Sequence, residues 1–194
     1  MKRQHVYLLK LKWWKFIWKP INKIKFYFWK VKIGTDIITY GPVLIFKKEN
    51  SIIQIGNHCV FRSKMHSNLI GINRPCSLST LTKNATIEIG NNCGFSGTVI
   101  GAFKSIYIGN NVRCGANTLI TDSDWHLNDN RINPKPLPII IEDNVWLGIN
   151  VVVMKGVTIG ENSIIGANSL VTKNIPPNVI AAGNPCRIIK KINT

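Results

Sequence analysis

The chain has 194 residues, with 25 Lys and Arg against 9 Asp and Glu, a net charge of +16, and 45% apolar residues. That size is one domain, or one domain with an appendage; no run of about 18 uncharged apolar residues predicts a membrane-crossing helix, and Lys10, Lys12 and Lys15 interrupt the apolar core that a secretory signal needs. Five cysteines, an odd number with no CxxC spacing and no Cys/His pairing, read as small buried core residues in a reducing compartment rather than as a metal site.

Residues 1–32 form a separate element. They hold ten Lys and Arg and no acid, more than half of the excess charge. On a helical wheel Lys12, Lys15, Lys19, Lys23 and Lys30 fall on one side, and Trp13, Phe16, Ile17, Ile21, Ile24, Tyr27 and Phe28 fall opposite. Pro20 interrupts, which predicts two short helices with Pro20 opening the second. A basic face beside an aromatic face describes a helix lying on an anionic membrane surface. It also describes a cap over the end of a following domain, and the two roles are compatible. No nucleic-acid partner is expected, because no recognition motif accompanies the basic residues.

Residues 33–88 carry a weaker pattern. Gly41-Pro42 and Arg74-Pro75 mark turns, Ile53 and Ile55 alternate, as do Ile87 and Ile89, and His58 and His66 read as surface or structural residues. From residue 89 the chain falls into sixes: IGNNCG, FSGTVI, then IGNNVR, CGANTL, ITDSDW. The next block should open at 126. That position is His126, followed by LNDNRINPKPLP with Pro134, Pro136 and Pro138, so a loop leaves the repeat there. An interruption of a strict repeat is where function tends to be inserted.

The repeat returns at Ile139 and is clearest from Ile141 to Pro176: IEDNVW, LGINVV, VMKGVT, IGENSI, IGANSL, VTKNIP. An aliphatic residue opens each block, the fifth position is small or β-branched, and the second and fourth favour turn formers. An even period returns the same side chains to one face of a strand, while Gly and Asn break the run into short pieces. Three sixes then make one triangular turn of a parallel coil with aliphatic ladders inside. The corner phrase recurs at Ile55, Ile89, Ile108, Ile141 and Ile159, at intervals of 34, 19, 33 and 18 residues. Taken as multiples of eighteen with small slips, these intervals predict six or seven turns over residues 33 to 180. Pro176-Pro177 stops the repeat, and Arg187 to Ile192 read as a short basic tail closing that end.

The phrases DNVWLG, MKGVTIGENSIIGANSLVTKNIPPN and AAGNPCR resemble those of the hexapeptide-repeat acyltransferases, in particular sugar O-acetyltransferases of the galactoside and maltose type, and TDSDWH resembles acetyltransferases of capsule and O-antigen synthesis. The resemblance covers residues 33–192 and implies a mainly β fold, a left-handed parallel β-helix, after the N-terminal basic amphipathic helical segment. It also implies a homotrimer with active sites between subunits, and acetyl-CoA as acyl donor.

The chemistry asks for little. A general base must take the proton of an acceptor hydroxyl, and donors must steady the tetrahedral oxyanion. His126, at the start of the inserted loop, is the candidate base, and Asp122, Asp124 or a backbone carbonyl could orient it. For the donor, the resemblance implies Trp146, Gly148, Ala167, Thr172 and Lys173 along the groove, with Arg187 or Lys190 meeting the 3′-phosphate by charge. On the acceptor side stand Ser96, in the FSGT phrase, and Trp125. No Walker or GxGxxG loop is present, and no metal is needed.

The reading is therefore an acetyl-CoA-dependent sugar O-acetyltransferase of surface polysaccharide synthesis. Its expected acceptor is a sugar or lipid-linked glycan, and its expected place is the cytoplasm or the cytoplasmic face of the inner membrane. N-acylation of an amino sugar is the principal rival, because the same base serves both nucleophiles. A non-enzymatic scaffold leaves TDSDWH unexplained. A zinc carbonic anhydrase needs three converging His ligands, and only His126 lies in the regular half.

Overall fold

The computed structural model describes residues 2–126 and 135–192. Its body is a left-handed parallel β-helix of triangular section. Among the described residues, three sheets of six, eight and six strands make the three faces. The first face runs from Lys32–Ile33 through Ile52–Ile55, Thr86–Ile89, Ser105–Ile108 and Ile139–Ile141 to Thr158–Ile159. The second includes Val60–Arg62, Gly94–Ser96, Arg113–Ala116, Trp146–Leu147 and Ile164–Ile165, and the third Leu44–Lys47, Ser77–Thr80, Val99–Ala102, Leu119–Thr121, Val152–Val153 and Leu170–Val171.

The repeat positions explain the coil. The opening aliphatics stack in register inside it: Ile55, Ile89, Ile108, Ile141 and Ile159 on one face, and Leu78, Ile100, Ile120, Val153 and Val171 on another. All are buried, and burying such side chains is the main drive for folding, about 1.5–3 kcal/mol each. On the second face Phe61 stacks on Phe95 with ring centroids 5.0 Å apart. Cys59 and Cys93 occupy buried fifth positions as expected, and all five cysteines are free and buried.

The corners explain the Gly and Asn. The fourth residue of each phrase takes a left-handed backbone, with φ of 57° at His58, 58° at Asn92, 57° at Asn111, 59° at Asn144 and 58° at Asn162. Asn adopts that region more readily than most residues. Its side chains then link the coils in a ladder, Asn111 donating to Asn144, Asn144 to Asn162 and Asn162 to Asn178, each at 3.0 Å. The second position must be bare where coils meet: a Cβ on Gly90 would fall 2.7 Å from the Gly109 backbone.

The spacing argument needs one correction. The intervals of 34 and 33 residues are not two turns each. Each is one turn carrying a long excursion, the first between Arg62 and Ser77 and the second between Thr121 and Ile139. The first lies at the corner between the second and third faces, where Asn117 fixes it through Asn73 N–H (3.0 Å) and the Gly71 carbonyl (2.9 Å). The second lies at the corner between the third and first faces, and its residues 127–134, Pro134 included, lie outside the described part.

The N-terminal segment also differs from expectation. It is one helix, α1 (Lys2–Phe28), continuous through Pro20. Pro20 is exposed, so a carbonyl deprived of its donor by the ring can be hydrated there. The face that docks α1 on the coil is neither the lysine row nor the aromatic stripe but a third sector. Phe26 is buried in the core, and Asn22, fully buried, donates to Thr39 Oγ1 (3.0 Å) and the Gly41 carbonyl (2.9 Å) and accepts from Val43 N–H (3.0 Å). At the far end the strand Arg187–Lys191 pairs antiparallel with Val179–Ala182, which closes the second sheet as the tail reading expected.

Candidate functional site

The chain leaves the third face at Thr121, and the next residues are turned by their own bonds. Thr121 Oγ1 donates to the Ser123 carbonyl, and Trp125 takes φ of 66°. Trp125 Nε1 donates to Thr121 Oγ1 (2.8 Å), and the ring packs edge-on against Phe103 at 5.3 Å. It fits there because position 101 is glycine: a Cβ would fall 2.8 Å from the indole. This arrangement delivers His126 to the surface, exposed, at the third–first corner.

The two carboxylates weighed as orienting groups have other partners. Asp122 is buried, and its oxygens accept the amides of Phe103 and Lys104, both at 2.7 Å, on the preceding turn. Burial pushes its carboxyl above the ordinary carboxylate value, with those amides pulling the other way. Asp124 pairs with Lys155 on the following turn, a partner the sequence did not point to.

Ser96 lies elsewhere, on the second face, in a groove of about 420 Å³ lined also by His58, Arg62, Asn68, Arg113 and Trp146. Asn68, from the first excursion, donates to Ser96 Oγ (3.0 Å). Arg62 is held by the Ser67 carbonyl (2.6 Å) and lies over the Tyr40 ring, and Arg113 donates to the Asn92 carbonyl. Asn68, Arg62 and Arg113 were not singled out from sequence, and the 34-residue interval, read as two turns, hid the excursion that supplies Asn68.

The expected donor-binding residues divide in the same way. Trp146 is exposed on the second face, and Gly148 stacks under exposed Ala167 at the second–third corner, where a Cβ on Gly148 would fall 2.7 Å from the Ala167 amide nitrogen. Arg187 and Lys190 extend that sheet as exposed cations. Thr172 and Lys173 are exposed just past the third face, on the corner that carries His126. The expected site residues of one chain therefore fall into two separate groups. One is a corner with His126, Trp125, Thr172 and Lys173, and the other is a face with Ser96, Trp146, Gly148, Ala167, Arg187 and Lys190. Among the described residues no group of three or more His, Cys, Asp or Glu side chains could hold a metal ion.

Comparison with known proteins adds to this geometry. The family described as bacterial transferase hexapeptide (six repeats) matches residues 138–173. The galactoside O-acetyltransferase of Escherichia coli (strain K12) is 44% identical over 114 residues, 56% of this chain and 56% of that one. The galactoside O-acetyltransferase of Lactococcus lactis subsp. lactis (strain IL1403) is 37% identical over 146 residues, 72% of this chain and 63% of that one. The chain thus spans little more than half the length of these relatives. A galactoside acetyltransferase solved in complex with coenzyme A is similar in structure, with a TM-score of 0.51 and 30% identity over 84% of this chain and 65% of that one.

Proposed function

We propose that the chain, whose residues 138–173 match bacterial transferase hexapeptide repeats and which is similar to galactoside O-acetyltransferases, is an acetyl-CoA-dependent O-acetyltransferase acting on a sugar hydroxyl, with His126 as general base, in the synthesis of a surface polysaccharide at the cytoplasmic face of the inner membrane. The observation that carries this reading is an exposed imidazole at the point where the ladder is broken, on a coil shared with galactoside O-acetyltransferases.

The residues present fit a long phosphate-bearing donor. Gly148 and Ala167 make a shelf without bulky side chains, Trp146 offers an exposed ring, and Arg187 and Lys190 supply positive charge at the end of the same sheet. When bound, the donor supplies an activated thioester carbonyl. His126 accepts the acceptor hydroxyl proton as the oxygen attacks, and afterwards returns it to the leaving thiolate. Ser96 and Asn68, on the polar groove, are placed to hold a sugar hydroxyl. The Asp124–Lys155 pair stiffens the turn that delivers His126.

The division into two half-sites supports assembly. The corner with His126 lies opposite the second face, so the two halves meet only if one copy's corner sits against another copy's face. A closed homotrimer does this three times over.

The test is thiol release from acetyl-CoA with neutral sugars, amino sugars and a membrane glycolipid extract as acceptors. His126→Ala should lower kcat by about 10²–10⁴ and leave the acetyl-CoA KM near wild type. A variant with wild-type turnover would remove His126 from the mechanism. Turnover confined to amino sugars would make the reaction an N-acylation.

A further inference from the structure

Helix α1 divides into three sectors. The first faces the coil and contains Trp14, Trp18, Asn22, Phe26 and Trp29, with Lys64 Nζ lying 5.0 Å from the Trp14 ring centre. This sector alone covers the open end of the β-helix. The second is an exposed apolar stripe: Phe16 is 80% exposed, Ile24 70%, Tyr27 87% and Phe28 77%, and Leu9, Trp13 and Ile21 are exposed with them. At 100° per residue the seven fall within an arc of about 140°. The third sector, on the flank of the stripe, is a row of exposed lysines, Lys12, Lys19 and Lys23. With Phe16, Pro20 and Lys15 they border a shallow apolar depression of about 490 Å³.

Among the described residues no hydrogen bond or ion pair joins the exposed stripe or the lysines Lys12, Lys19 and Lys23 to the coil. No acid occurs in residues 1–32 to neutralise the lysines. Asp36, which lines a cavity with Lys19 and Lys23, lies 3.4 Å from His58 Nδ1. Among the described residues no helix is long and apolar enough to cross a membrane. An apolar stripe flanked by cations, on a helix too polar to insert, matches the two layers of a lipid interface: acyl chains below, phosphates beside.

We propose that α1 docks the protein on an anionic lipid bilayer, with the Phe16–Ile24–Tyr27 stripe in the acyl boundary and Lys12, Lys19 and Lys23 on the phospholipid head groups. The apolar surface continues beyond the helix. Trp13 shares a cavity of about 570 Å³ with Leu69 of the first excursion, whose Met65, Leu69 and Ile70 are exposed. The same excursion carries Asn68 into the Ser96 groove. Docking would therefore bring the groove to the lipid surface, where a lipid-linked acceptor resides. The docking itself holds whatever reaction the groove supports.

Co-sedimentation with lipid vesicles tests this on the full chain. Vesicles of phosphatidylcholine with phosphatidylglycerol should retain the wild type, and phosphatidylcholine alone should not. The triple variant Lys12→Gln/Lys19→Gln/Lys23→Gln should bind at least about tenfold more weakly, a cautious figure for three cations near an anionic leaflet. Phe16→Ser/Ile24→Ser should lose the blue shift of tryptophan emission on vesicle binding while thermal unfolding of the coil stays unchanged, because both side chains are exposed. Equal retention by both vesicle types, or by neither, would overturn the proposal. So would a wild type that forms larger assemblies in solution, dispersed by Phe16→Ser/Ile24→Ser, without vesicle binding; the stripe would then join copies of this chain.

Discussion

Asp122 has both carboxylate oxygens on backbone amides of the preceding turn, so its first effect is on the coil rather than on His126. Asp122→Ala leaves the Phe103 and Lys104 amides without acceptors and should cost about 1–3 kcal/mol in urea unfolding. The pH dependence follows from the raised carboxyl. Folding binds this proton more tightly, so the wild type loses stability as pH rises from the ordinary carboxylate range through the raised value, and is flat above it. The alanine deficit should therefore be larger at the acid end of that window than at neutral pH, and a series of urea titrations measures it. At this scale the sequence was informative about type but not about direction. The block TDSDWH marked the break in the ladder. Which carboxylate turns inward depends on the Phe103 turn one coil earlier, and the Lys155 partner of Asp124 comes from one coil later. Neither pairing leaves a trace in local spacing.

Helix α1 is docked by a buried polar residue, Asn22, with Lys25 Nζ donating to the Val43 carbonyl (3.2 Å) beside it. Asn22 meets Thr39, Gly41 and Val43 at the same time, all within the first turn of the coil. Asn22→Ala leaves the Val43 amide and the Gly41 carbonyl without partners, and should weaken the attachment of α1 by about 2–3 kcal/mol. In a solenoid each turn touches only its neighbours, so the damage should stay local. Hydrogen exchange should rise in α1 and residues 38–43, while the turns beyond Ile141 keep their protection; loss of protection along the whole coil would contradict this. The wheel found the lysine row and the aromatic stripe, because charge and apolarity are visible one residue at a time. It missed the docking sector, because Asn22 and three tryptophans do not resemble a core face until their partners are known. The excursion between Arg62 and Ser77 was hidden for a related reason. Its length is close to one full turn, so an interval of 34 residues imitated two turns of ordinary coil.

At the scale of the molecule, the expected site residues fall into two separate groups on one prism. His126 stands at the third–first corner, whereas Ala167 and Gly148 stand at the second–third corner and Ser96 on the second face. The interruption of the repeat marked His126, and the resemblance to hexapeptide-repeat acyltransferases implied the donor-side residues, but neither showed a distance between them: the hexad gives register along the coil and nothing about which faces of two copies meet. A self-contained monomer and a trimer with shared sites then differ in one measurable way. His126→Ala removes the base from a corner. Ala167→Trp, at an exposed position, fills the shelf on a face without disturbing the core. Each variant alone should be inactive. When the two are co-expressed and mix at random in a trimer whose sites lie between neighbours, about one quarter of the sites receive an intact corner from one chain and an intact shelf from the other. Activity should therefore return to roughly that fraction of wild type, and the mixed species should sediment as a trimer. Sites complete within one chain would stay silent in every mixture, because no chain then carries both intact halves.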